Sequence, residues 1–103
     1  MDNEKILNLV RSGLTDEIVE KLQPNGTWLI CKALHESDYS DLLLPTNVDY
    51  SFCLFHQVMK AGPEATYKPG DVVIVIKNAL DGLTADRHKV AVQQEDCLAR
   101  VEL

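Results

Sequence analysis

Three cysteines, three histidines and several paired carboxylates are the residues of this 103-residue chain best suited to catalysis or metal binding. A metal site needs ligands at short, regular spacing, and His35, His56 and His88 lie too far apart in sequence for any two to form such a pair. Each reads as a surface or half-buried histidine. Cys31, Cys53 and Cys97 are an odd set without close spacing, each among apolar neighbours (L-I-C-K, S-F-C-L-F, D-C-L-A). They read as buried free thiols in a reducing compartment. Acids recur at Asp38 and Asp41, at Asp81 and Asp86, and at Glu95 and Asp96, which in an acidic chain is the pattern of a solvated surface. The sequence holds no phosphate-cradling Gly-rich loop, no nucleophile elbow and no C-x-x-C. The expectation is a protein that is not an enzyme and that uses no metal and no cofactor.

A different stretch carries the functional signal. Residues 37–46 read S-D-Y-S-D-L-L-L-P-T: Leu42, Leu43 and Leu44 are stopped by Pro45 and preceded by polar residues, with Asp38 and Asp41 close by. A run this short, flanked by acids and ended by a residue that cannot donate to a ladder, is a poor interior strand. As the apolar tip of a loop it implies a partner with a groove to receive it. The alternative is that the leucines pack into the protein's own core, and the run by itself does not choose between the two.

The elements that must position this loop follow from composition and periodicity. At 103 residues the chain is one domain, and its 46% apolar fraction with 6% aromatics points to an aliphatic core. A net charge of −6 and an isoelectric point near 4.9, with no basic cluster, disfavour nucleic acid as a partner. No apolar run is long enough for a membrane helix and no secretory signal opens the chain, so a cytoplasmic protein is expected. Ile6, Leu7, Val10 and Leu14, then Ile18 and Leu22, recur at helical spacing over residues 3–22. Ser12-Gly13 interrupts that run and Thr15-Asp16-Glu17 makes a good N-cap, which predicts two short helices, with a single bent helix as the alternative. Beyond Pro24 and Gly26, strands are predicted at Trp28–Cys31, Ser51–Lys60, Val72–Ile76, Lys89–Val92 and Cys97–Leu103. Turns are expected at Ala61-Gly62-Pro63, Lys68-Pro69-Gly70-Asp71 and Asp81-Gly82. In the second strand, Phe52, Leu54, His56 and Val58 fall on one face and Cys53, Phe55 and Met59 on the other, with both faces expected to be covered. Short strands at this spacing suggest a small barrel or sandwich.

Five stretches, in order, resemble the GroES family of co-chaperonins. Lys21–Lys32 (K-L-Q-P-N-G-T-W-L-I-C-K) is similar to the family's opening K-I-R-P-L-G-D-R-V-L-V-K, and Asp41–Pro45 (D-L-L-L-P) sits where the mobile loop has G-I-V-L-P. Val58–Pro63 resembles V-V-A-V-G-P, Lys68–Val73 resembles K-V-G-D-x-V, and Asp96–Glu102 resembles the closing D-I-L-A-V-I-E. The resemblance covers about four-fifths of the chain.

This resemblance implies a mainly β fold, a small GroES-like β-barrel over residues 21–103 with its loop at 35–47; the N-terminal helical extension over residues 1–20, read from periodicity, has no counterpart in the family. It further implies a heptameric ring, a homo-oligomer that caps a GroEL-type chaperonin and assists ATP-dependent protein folding, the nucleotide being bound by the partner. Leu42, Leu43 and Leu44, with Asp41 and Pro45, inherit the partner-binding role by position. The ring contact falls on Lys21, Leu22 and Pro24 of one subunit and Leu98, Val101 and Leu103 of the next. The chain departs from the pattern in having Asp41 for the family's glycine, Lys32-Ala33 for K-P, and a short segment between Pro63 and Lys68 that leaves no room for a roof over the ring. Divergence of this degree fits an unusual or virus-encoded member. Asp41 and the N-terminal helices motivate the alternative, a ring-forming structural or assembly protein that no longer binds a chaperonin.

Overall fold

Asn25 and Gly26 turn the chain into its central strand. Gly26 sits at φ 54°, in the left-handed region that a Cβ disfavours, and the Trp28 amide donates to the Asn25 carbonyl over 3.0 Å. In the computed structural model, which describes residues 3–4, 14–35, 53–76 and 79–102, strand β1 (Trp28–Ala33) pairs antiparallel with β2 (Phe55–Ala61) and with β5 (Lys89–Gln93). Strand β3 (Val72–Val75) extends the sheet beyond β2, and β6 (Cys97–Val101) extends it beyond β3. The two-residue β4 (Asp81–Gly82) lies outside β5, so the order is β4-β5-β1-β2-β3-β6.

Period-2 alternation on these strands sends one set of aliphatic side chains to a common face. Leu29 and Cys31 of β1, Val58 of β2, Val73 and Val75 of β3, and Val90 and Val92 of β5 form one buried cluster. Ile30 points the other way and is also buried, because residues 22–25 cross that face. The chain before that crossing forms helix α1 (Asp16–Glu20), capped by Thr15, whose Oγ1 accepts from the Ile18 amide over 3.4 Å; Asp16 and Glu17 occupy its first turn. Val19 of this helix is buried, and the Leu14 amide donates to the Leu83 carbonyl over 3.2 Å.

A bulge in β2 makes that docking possible. Ile30 pairs with Lys60 but Cys31 pairs with Val58, leaving Met59 as the extra residue. Without it, Lys60 would share the inward face with Val58. With it, the ammonium reaches the outer face and donates to the carbonyls of Glu20 and, over 2.9 Å, Leu22, the acceptors left open at the end of α1. A second bulge, between Ile74 and Val75, leaves Leu98 as the extra residue on β6.

The structure corrects several expectations. Among the described residues the sheet is not closed into a barrel: β4 and β6 are its two edges, and no ladder joins them. Residues 21–24, which the GroES resemblance would make the first barrel strand, form no ladder; Pro24 brings no donor to one. Of the two expected helices the second stands as the five-residue α1, and the first, of which residues 3–4 are helical, lies mostly outside the described residues. Asp81-Gly82 is not a turn but strand β4; the reversal comes later, where Arg87 takes φ 62° and the Arg87 amide donates to the Thr84 carbonyl. The second strand starts at Phe55, with Cys53 and Leu54 before it outside any strand, and its outer face is not fully covered, since Phe55 is 44% exposed. The third strand stops at Val75, leaving Ile76 exposed. Residues 62–70 fold directly back on the sheet: the Gly62 amide donates to the Trp28 carbonyl, the Gly70 amide donates to the Val58 carbonyl, and the Gln94 side-chain oxygen accepts from the amides of Thr66 and Tyr67.

Candidate partner-binding site

The partner-binding residues read from the sequence, Asp41, Leu42, Leu43, Leu44 and Pro45, lie outside the described residues. The structure does describe where their segment is rooted. Ala33 pairs with His56, and the Leu34 amide donates to the Phe55 carbonyl over 3.0 Å, so the two ends of the connection leave from adjacent strands of the same sheet end.

Two exposed apolar side chains, Leu54 and Phe55, stand at the β2 root. The exposed large hydrophobics among the described residues are Leu54, Phe55, Ile76 and Leu98. Register sets them on neighbouring segments: Phe55 opposes Ile74, the Val75 amide donates to the Leu54 carbonyl, and Ile74 opposes Ala99, next in sequence to Leu98. Sequence reasoning missed Leu54, Phe55 and Ile76 as surface residues, because it extended their strands too far and took both faces as covered.

The subunit-contact residues divide between two sides of the molecule. Leu22 and Pro24 line a groove of about 290 Å³ with Trp28, Ile30, Leu83 and Ala91, on the half of the sheet made by β1, β5 and β4. Lys21 stands beside it, its ammonium exposed and 3.7 Å from Glu17. Leu98 and Val101 are on β6 at the far edge, Leu98 being 63% exposed; Leu103 lies outside the described residues. The structure therefore does not bring the two sets together within one chain. The groove residues Trp28, Ile30, Leu83 and Ala91 were not singled out from sequence, where they read only as strand or turn positions.

Burial governs the titration of two of the cysteines and one of the histidines. Burial pushes the Cys31 thiol up to about 12, with the nearby Cys97 adding to it, and burial with the charges of Asp96 and Glu95 pushes Cys97 up to about 11. A thiol so far from ionising at neutral pH is a poor nucleophile and a poor ligand. His56 is buried, its Nδ1 without a hydrogen-bond partner; burial lowers its pKa and a backbone hydrogen bond at Leu54 opposes that only in part. Among the described residues no three His, Cys, Asp or Glu side chains stand close enough to hold a metal ion, and no helix is long and apolar enough to cross a membrane. No protein-family model matches the chain, and no curated protein matches it.

Proposed function

We propose that this protein is a co-chaperonin of GroES type, which caps a GroEL-like ring through Leu42, Leu43 and Leu44 and has no active site of its own. The observation that carries the reading is the order of five GroES-like stretches with D-L-L-L-P in the connection between β1 and β2. Their positions in the fold support it: the first leads into β1, the third and fourth flank the turns between β2 and β3, and the last becomes β6. The likeness to the GroES fold is part of the proposal, with an open sheet in place of a closed barrel.

The ring belongs to the same reading. A head-to-tail contact needs two different surfaces on one subunit, and the groove of Leu22 and Pro24 and the edge strand with Leu98 and Val101 are such a pair. Seven copies is the number the resemblance implies.

Retention of the purified protein by a chaperonin ring with ATP present, and its release without ATP, is the test. Leu43→Glu places a charge in an apolar groove and is expected to abolish retention while circular dichroism and ring mass stay unchanged. Loss of fold in that variant would place the leucines in the protein's own core and sink the reading. A wild-type ring that a chaperonin never retains would favour the structural or assembly protein instead.

A further inference from the structure

We propose that Asn25 is a site of spontaneous deamidation and that its product disables the turn from which β1 starts. Deamidation begins when the backbone nitrogen of the following residue attacks the side-chain amide carbon, and a side chain on that following residue shields the nitrogen. Of the asparagines at 3, 8, 25, 47 and 78, Asn25 alone precedes glycine; the others precede Glu4, Leu9, Val48 and Ala79. Asn25 is exposed. Among the described residues the backbone hydrogen bonds that hold this turn use the Asn25 and Gly26 carbonyls, which accept from the Trp28 and Glu64 amides over 3.0 and 2.9 Å, and leave the Gly26 amide out.

The reaction balances without an oxidant or a second reactant other than water. A bond forms between Gly26 N and Asn25 Cγ, the bond from Cγ to Nδ2 breaks, and the Gly26 amide proton leaves with the ammonia. Water then opens the five-membered imide at one of its two carbonyls, giving aspartate or, with the main chain routed through Cβ, isoaspartate.

Isoaspartate adds a methylene to the backbone between residues 25 and 26, and the turn has no room for it. A Cβ built on Gly62 already falls 2.9 Å from the Asn25 carbonyl oxygen and closer still to that of Gly26, so these carbonyls are packed against the Gly62 backbone. Lengthening the chain here displaces the acceptors of Trp28 and Glu64. Asn25 also lines the groove of Leu22 and Pro24, so either product puts a carboxylate there. Weaker self-association would follow, a consequence that rests on the ring reading whereas the modification does not.

Full-length protein aged in mildly alkaline buffer at body temperature tests this by peptide mass mapping, enzymatic isoaspartate methylation and thermal melting. Asn25 should convert ahead of the other asparagines, and the converted fraction should melt at lower temperature. Asn25→Gln, which does not close the five-membered ring readily, should age without that loss. No conversion at Asn25, or conversion no faster than at the other asparagines, overturns the site. Conversion with an unchanged melting temperature overturns the disabled turn. Chaperonin retention measured on fresh protein reports on the ring reading separately.

Discussion

Strands β1 and β6 carry runs of similar length and apolar content, W-L-I-C-K-A and C-L-A-R-V, and meet opposite fates. Both ladders of β1 are used, by β2 and β5, and both its faces are covered, Leu29, Cys31 and Ala33 on the core side and Ile30 beneath residues 22–25. β6 has one ladder, to β3, and Leu98, Ala99 and Arg100 are exposed. Hydrophobic content makes both segments able to be strands, but position in the sheet decides which one is sealed. An edge strand with free donors and acceptors is a template for another chain, and Arg100, 4.0 Å from Asp71 and 3.8 Å from Glu102, places charges along it that discourage indiscriminate pairing.

The comparison breaks most visibly at Leu29. It is fully buried in the core cluster, so Leu29→Ala removes apolar contacts and leaves a cavity, costing about 2–5 kcal/mol. Urea unfolding should move its midpoint far below that of the wild type. A shift as small as that of a surface substitution would mean that β1 is not the sealed strand.

The entry to β1 is nearly as sensitive. Gly62 lies where the chain leaving β2 passes against the Asn25-Gly26 turn, and an added methyl group meets backbone carbonyl oxygens rather than a side chain that can swing away. Gly62→Ala is expected to destabilise by about 1–3 kcal/mol, the range of overpacked sites, read by the same urea titration. An unchanged midpoint would show that the two turns have slack.

Acid probes the same buried face through His56, which pairs with Ala33 of β1. Burial holds its folded pKa below the unfolded 6.5, so in the window between those values the unfolded chain binds more protons than the folded one. Stability from this group is therefore complete above pH 6.5 and falls as pH drops through that window. His56→Leu, which cannot titrate, should flatten the melting temperature across mildly acidic pH. Parallel curves for variant and wild type would show that His56 does not set the acid sensitivity.

How much of this was legible in the sequence depends on how local each signal was. The Thr15 cap and the strand that begins at Val72 are short-range signals and stand where the sequence places them, the strand ending one residue early at Val75. The bulge at Met59 was not legible, because strict alternation through F-H-Q-V-M-K gives no sign that Lys60 must reverse its face to meet α1. Nor was the fate of Asp81-Gly82, a common turn pair that β5 recruits as an edge ladder. An open sheet rather than a barrel is a matter of which distant edges meet, and nothing in the local pattern of residues 22–25 or 97–101 specifies that. Of the candidate site, the groove beside Leu22 and Pro24 needed the fold, since Leu83 and Ala91 reach it from far along the chain.

The smallest effect on folding, and the sharpest test of the comparison, is expected at Leu98. It is the extra residue of the β6 bulge and is 63% exposed, so replacing it removes little buried surface. Leu98→Ser should change stability by no more than about 0.5 kcal/mol, as other surface substitutions do. If β6 is a strand kept open for a neighbouring subunit, the same substitution removes an apolar side chain from a contact repeated around the ring, and a small loss per contact is multiplied by closure. Native mass spectrometry at decreasing concentration would then show the Leu98→Ser ring dissociating well before the wild-type ring, with the monomer's unfolding curve unmoved. Equal dissociation of both would remove Leu98 from the contact, and a marked loss of monomer stability would mean that β6 is sealed within its own chain as β1 is.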